Sequence, residues 1–202
     1  MTTVVFASMN PKKTVEIQRM APSCIKIVCL KDIPEANGIP QVKETGKSFI
    51  ENAKIKAEYW AKKLNMPVLA EDSGIQIYAL KGYPGVYTKR CVEHLRPGTN
   101  INEDNPGELY PLLLELIKQS DNPSNKQALW ISSMVYVDSE KELYANEHIL
   151  GEMCPCAGER VFGFDQYFKP IGCNKTLSEM TLEEKDQIGP RLKAFESIIC
   201  RI

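Results

Sequence analysis

The run "VLAEDSGIQIYALKGYPGVYTKR", from Val68 to Arg90, constrains the fold of this chain more than any other stretch. An apolar segment leads into two adjacent carboxylates, Glu71 and Asp72, and a second apolar segment follows before a turn broken by Gly and Pro. The pattern reads as two short strands, "MPVLAED" and "GIQIYAL", with the acids closing the first. A strand that ends on two acids either turns into solvent there or sets carboxylates where they hold Mg²⁺ or take a proton from water. The pair alone fits both.

The segments around it mix helices and strands without strict βαβ alternation, which points to a mixed-sheet α/β or α+β fold. "TTVVFAS" reads as a strand, "NPKKTVEIQRMA" as a helix after a loop, and "CIKIVCL" as a second strand. From Ser48 a long amphipathic helix carries Ile50, Ala53, Ala57, Trp60, Ala61 and Leu64 on one face, and Ser48 with Glu51 makes a capping-box pattern at its start. A helix is expected to begin near Pro84, another to be interrupted early by Pro111, and a last one to break at Gly189-Pro190. "KQALWISSMVYVD" and "KELYANEHILGEM" read as antiparallel strands around Ser139-Glu140.

Composition excludes several classes. The 202 residues can bury one good core, read as one domain over 1–202 with two lobes. Lys and Arg total 25 against 26 Asp and Glu, so no global basic field marks the chain as a nucleic-acid binder. No stretch reaches the roughly 20 apolar residues of a membrane-spanning helix. The expectation is therefore a cytoplasmic protein with no nucleic-acid or membrane partner. Seven scattered cysteines without a C-x-x-C pair argue against a disulfide framework or a zinc ribbon. Cys154 and Cys156 alone lack the further ligands of a structural metal site.

Four dispersed segments carry the residue types that triphosphate chemistry needs. Ser8, Asn10 and Lys13 lie at a strand-to-helix junction, where free backbone N–H groups favour phosphate, although a solvated helix start has the same look. Asn52 and Lys56 are four apart and project from one side of their helix, as does any i, i+4 surface pair. Glu44 joins Glu71 and Asp72 as a carboxylate for a metal. In "FGFDQYF", aromatic rings flank Asp165 and offer faces for a base, or the edge of an aromatic core. His94 and His148 sit in no nucleophile or metal context.

In this order, "VVFASMNPKK", "ETGKSFIENAKIKA", the Leu69 to Arg90 block, "FGFDQYFKP" and "KTLSEMTLEEKDQIGPRLKA" resemble the successive blocks of the inosine triphosphate pyrophosphatase family over nearly the whole chain. The resemblance implies an elongated mixed sheet flanked by helices, two lobes with a central cleft, and a homodimer. It also implies Mg²⁺-dependent hydrolysis of a nucleoside triphosphate to monophosphate and pyrophosphate. Carried over by position, Ser8, Asn10, Lys13, Lys56 and Ser73 would bind the triphosphate, with Lys56 also catalytic. Glu44 and Asp72 would hold the metal and Asp72 would be the general base. Phe162, Asp165, Lys175 and Arg191 would meet the purine.

The chain departs from the family pattern at the base end. The usual Ser-His-Arg before the last helix is Gly189-Pro190-Arg191 here, Met9 stands where Gly is usual, and the Pro-Arg-Gly normally upstream of the aromatic loop is absent. The expected substrates are inosine, deoxyinosine and xanthosine triphosphates. The alternatives are the same chemistry on another modified or pyrimidine nucleotide, and a nucleotide-binding module without turnover.

Overall fold

A computed structural model describes residues 1–91, 94, 106–155, 157–158 and 164–202. Its elements are β1 (Thr2–Phe6), α1 (Pro11–Met20), β2 (Ile25–Cys29), α2 (Phe49–Leu64), β3 (Val68–Ile77), α3 (Pro106–Gln119), β4 (Gln127–Val137), β5 (Glu142–Met153), β6 (Phe168–Pro170), α4 (Leu182–Ile188) and α5 (Pro190–Ile199). Short 3₁₀ turns connect them. The strands form one mixed sheet in the order β2-β1-β3-β4-β5-β6. β1 runs parallel to β2 and β3, with Val5 opposite Val68 and Phe6 opposite Leu69, while β6 is antiparallel to β5. This is the α/β architecture expected, a mixed sheet with flanking helices.

The chain divides into two compact units: residues 1–73, 132–147 and 190–202 in the first, and 74–131 and 148–189 in the second. In the first unit the period-two alternation of the strands sorts apolar side chains to two faces. Val4 and Phe6 of β1, Leu69 of β3 and Met134 of β4 pack with Ile17 of α1 and with Ala194, Phe195 and Ile198 of α5. Val5, Ala7, Val68, Ala70 and Val135 pack instead with Ala53, Ala57 and Trp60 of α2. One helical layer is thus α1 and α5, and the other is α2.

Helix α2 is the element that its sequence specifies most completely. Ser48 Oγ accepts from the Glu51 N–H at 3.3 Å, and the Glu51 carboxylate reaches one residue further back than in the usual capping box, to the Lys47 N–H at 2.6 Å. Asn65 ends the helix in the left-handed conformation, φ 50°, where a short polar side chain is tolerated.

The second unit has its own core. Ile75 and Ile77 of β3, Trp130 of β4 and Met153 of β5 gather with Leu113 and Ile117 of α3 and with Phe164, Tyr167, Phe168 and Leu177. The Trp130 ring meets Phe164 and Phe168 edge-on, at 6.2 and 5.8 Å between centroids.

Three local expectations change. The acids do not end a strand: β3 is one strand of ten residues that passes through Glu71, Asp72, Ser73 and Gly74. It lies between β1 and β4, so ladder partners on both sides override the turn-favouring Ser-Gly pair. The segment after Pro84 is a 3₁₀ turn, Gly85–Arg90, rather than the start of an α-helix. Helix α3 continues through Pro111 and gives up one backbone hydrogen bond there, while Leu113 and Ile117 beyond it are fully buried. The expected break holds at Gly189-Pro190, where α4 ends and α5 begins. No helix of the described residues is long and apolar enough to cross a membrane.

Candidate active site

The alternation that sorts the core also separates the two acids of β3. Asp72 follows Val68 and Ala70 onto the α2 face, whereas Glu71 and Ser73 follow Leu69 onto the face of α1 and α5. Adjacent in sequence, they enter different networks, and neither is a solvated turn residue.

On the α2 face, Asn52 and Lys56 sit one helical turn apart and both meet Asp72. Asn52 Nδ2 donates to Asp72 Oδ2 at 3.0 Å, and Lys56 Nζ lies 3.4 Å from Asp72 Oδ1. Lys56 Nζ also donates to Glu44 Oε1 at 2.7 Å, so one ammonium bridges the two carboxylates assigned to a metal. Asn52 is 1% exposed, and its Oδ1 accepts the Gly46 N–H at 2.8 Å. Its amide therefore ties the Glu44–Lys47 segment to Asp72. Gly46 has no room for a side chain: a Cβ there would lie 2.7 Å from Asn52 Oδ1 and 2.7 Å from Glu51 Cβ.

Electrostatics make this face unusual. Burial pushes the Asp72 carboxyl above its ordinary value and the nearby Glu44 charge pushes the same way, against Lys56 and Asn52, which favour the ionised form. Burial alone would lower Lys56, but the carboxylates of Asp72 and Glu44 outweigh it and keep the ammonium charged. Two like charges around one cation, with oxygen donors only, suit Mg²⁺, which takes one or two carboxylates and completes its shell with waters and phosphate. Among the described residues no three His, Cys, Asp or Glu side chains converge, so no all-protein cage competes with that fit.

On the opposite face, Glu71 is 4% exposed and meets three side chains. Its Oε1 accepts from Arg191 Nε at 2.9 Å and from Ser132 Oγ at 2.9 Å, and its Oε2 lies 2.9 Å from Lys13 Nζ. Arg191 Nη1 pairs in turn with Glu16 Oε2 at 2.7 Å, and Lys13 Nζ reaches Ser73 Oγ at 3.4 Å. Burial would raise the Glu71 carboxyl, but Arg191 and Lys13 hold it well below the ordinary carboxylate range. Burial lowers Lys13, with Glu71 pushing the other way and Arg191 and Lys56 adding to the fall. Just before α1, Ser8 Oγ accepts the Asn10 N–H at 3.1 Å.

Ser8, Asn10, Lys13, Glu44, Lys56, Asp72 and Ser73 thus all belong to the first unit, as does Arg191. Arg191, assigned to the purine, is 6% exposed with its guanidinium held by Glu71 and Glu16. In the second unit Asp165 is 1% exposed and accepts from Lys185 Nζ at 2.6 Å. Lys175 is instead half-exposed and pairs with Glu184 at 3.0 Å, and Phe164 is packed in the core. Phe162 lies outside the described residues.

The sequence reading passed over Lys185, Glu16 and Ser132. Only Lys185 had a local signal: the Thr181-x-x-Glu184 capping box fixes where α4 starts and so sets Lys185 in its first turns. Glu16 and Ser132 are recognisable only once Arg191 and Glu71 are known to be buried beside them.

A mixed-sheet α/β chain that sets Glu44, Asp72 and Lys56 on one face of a central strand and Glu71 and Lys13 on the other defines a class of protein built around paired acids and lysines. The chain belongs to the Ham1 family, whose model matches residues 4–200. Curated relatives include a dITP/XTP pyrophosphatase of Flavobacterium johnsoniae, 34% identical over 97% of this chain and 95% of that protein. Another of that name from Thermus thermophilus is 34% identical over 97% and 89%. Among solved structures, a HAM1 protein from Coxiella burnetii superposes with a TM-score of 0.86 at 29% identity, covering 100% of this chain and 98% of the other. A nucleoside-triphosphatase described as a dITP/XTP pyrophosphatase from Mycobacterium abscessus gives 0.73 at 31% identity, with 98% of each chain covered.

Proposed function

We propose that this protein is a Mg²⁺-dependent nucleoside triphosphate pyrophosphatase that hydrolyses inosine, deoxyinosine and xanthosine triphosphates to the monophosphate and pyrophosphate. The activity for which the relatives are named supports the reaction class. The single observation that carries the assignment in this chain is Asp72, partly buried, raised above its ordinary value and held by Asn52 and Lys56 with Glu44 alongside.

Each residue has a task that its chemistry fits. Glu44 and Asp72 would hold Mg²⁺, which when bound neutralises phosphate charge and polarises the bridging oxygens. Lys56 and Lys13 place ammonium groups against a triphosphate whose charge redistributes during P–O cleavage. Ser8, Asn10 and Ser73 add donors at the start of α1 and beside Lys13. Asp72 takes the proton of the attacking water, and burial, which raises its carboxyl above the ordinary value, makes it a stronger base than an exposed aspartate. Asn52 orients that carboxylate so that one oxygen is fixed and the other faces Lys56.

A second reading, the same chemistry on another modified or pyrimidine triphosphate, is favoured by Arg191, whose donors are engaged by Glu71 and Glu16 in a chain that also carries Pro190 beside it. A panel of nucleoside triphosphates assayed for pyrophosphate release, with Asp72→Asn in parallel, separates the two. Highest kcat/KM for deoxyinosine or xanthosine triphosphate supports the first reading, and a rank order with these at the bottom supports the second. Full activity of Asp72→Asn removes it as base. Tight Mg²⁺-nucleotide binding without release from any member would make the chain a binding module.

A further inference from the structure

We propose that Glu71 is a positioning residue for the reaction: a buried carboxylate on the α1 and α5 face of β3 that fixes where the Lys13 ammonium stands. The proposal rests on the reading of Lys13 as a triphosphate ligand.

Three observations carry it. The Glu71 carboxylate is held at one oxygen by Arg191 Nε and Ser132 Oγ, both at 2.9 Å, so it cannot rotate without breaking two hydrogen bonds. Its other oxygen, Oε2, is the one at 2.9 Å from Lys13 Nζ. The anchor thus reaches outward from the sheet to the lysine, with α5 and β4 bracing it from behind. Arg191 is itself fixed by Glu16 on α1, one turn after Lys13 on the same helix. The ring of contacts closes from α1 through α5 and β3 back to α1.

The physical consequence concerns a flexible side chain. A lysine has four rotatable bonds and an ammonium with no preferred direction, so a loose one loses entropy each time it meets phosphate. Seating Lys13 between Glu71 and Ser73 removes that cost in advance. Glu71 needs no contact with the nucleotide. It acts through Lys13, and a shorter acid at position 71 withdraws the seat while leaving the charge balance of the pocket intact.

The experiment compares Glu71→Asp, Lys13→Met and the double variant, each checked for a native melting transition. Two measurements are made: pyrophosphate release from deoxyinosine triphosphate with Mg²⁺, and calorimetric binding of inorganic tripolyphosphate. Glu71→Asp is expected to lower kcat/KM by about 10²-fold, the order of a displacement near 1 Å in a reacting assembly. It should also weaken tripolyphosphate binding. In the Lys13→Met background the same substitution should change either readout by less than about twofold, because coupled residues are non-additive. A purely structural Glu71 gives the same loss in both backgrounds, and unchanged or tighter tripolyphosphate binding by Glu71→Asp equally overturns the proposal.

Ser132→Ala, which removes one brace without touching charge, should reproduce a smaller loss in the Lys13 background alone, and it serves if Glu71→Asp does not fold. An inactive wild type would count against the pyrophosphatase reading, while the tripolyphosphate cycle would still decide whether Glu71 seats Lys13.

Discussion

Replacing Asn52 with leucine isolates the device that holds Asp72. The two side chains have similar volume, so the buried site is left without a large cavity, and what disappears are two hydrogen bonds: Asn52 Nδ2 to Asp72 Oδ2 at 3.0 Å and the Gly46 N–H to Asn52 Oδ1 at 2.8 Å. The first goes to a carboxylate and the second leaves a backbone donor without its acceptor, so their loss, partly offset by leucine's apolar burial, should cost about 2–4 kcal/mol in all. For a chain of this length that is a fall in Tm of roughly 5–15 °C. The functional consequence has a fixed sign. The Asn52 bond favours ionised Asp72, so removing it moves a carboxyl already raised by burial further up. The general base is then lost at a higher pH, and the acidic limb of the pH–kcat profile for pyrophosphate release should shift upward. Denaturant unfolding and that profile, measured on one preparation, check both halves. A native melting temperature, or an acidic limb that stays in place or moves down, refutes the assignment of Asn52 as the group that orients Asp72.

Other outcomes follow from neighbouring contacts. Glu71→Gln should destabilise the protein by about 3–5 kcal/mol at neutral pH, because it removes the buried negative charge that faces both Arg191 and Lys13. The Glu71 carboxyl is depressed in the folded state, so its stabilisation is complete above the unfolded value of 4.5 and lost as pH falls below it. The gap between wild type and variant in urea midpoints should therefore narrow in acid. Gly46→Ala should weaken Mg²⁺ activation of turnover, read as a higher Mg²⁺ concentration at half-maximal rate, since the added Cβ displaces the segment that carries Glu44. Lys185→Met should cost about 3–5 kcal/mol by removing the ammonium that pairs with the buried Asp165 carboxylate, measured by chemical denaturation. Chelation with EDTA should abolish pyrophosphate release and added Mg²⁺ should restore it, if Glu44 and Asp72 hold the ion.

What was readable in the sequence was local. The Ser48 cap and the four-residue spacing of Asn52 and Lys56 are consequences of helical geometry, and both appear as expected, with the two side chains meeting at Asp72. The mixed α/β class followed from the order of apolar segments. The continuity of β3 was not readable, because Ser73-Gly74 has turn propensity and only the ladders of β1 and β4 hold it extended. For the same reason the separate fates of Glu71 and Asp72 were hidden, since alternation has meaning only within an unbroken strand. Lys175 and Lys185 show the limit from another side. Both lie near the aromatic segment in sequence, and which of them turns toward Asp165 depends on the path of the chain through the second unit.

The opposite orientation of Glu71 and Asp72 also has a bearing on how such a protein can change over generations. Substitutions in α5 or at the Gly189-Pro190 break are felt first by Arg191, then by Glu71 and Ser132, and this chain of contacts stays on one side of the sheet. Asp72, Asn52, Lys56 and Glu44 inherit their arrangement from α2 and its leading loop on the other side. A change in the sequence around Arg191 therefore reaches Lys13 through Glu71 before it reaches the Asp72–Lys56 pair under α2, and one residue of strand decides which of the two networks a substitution enters.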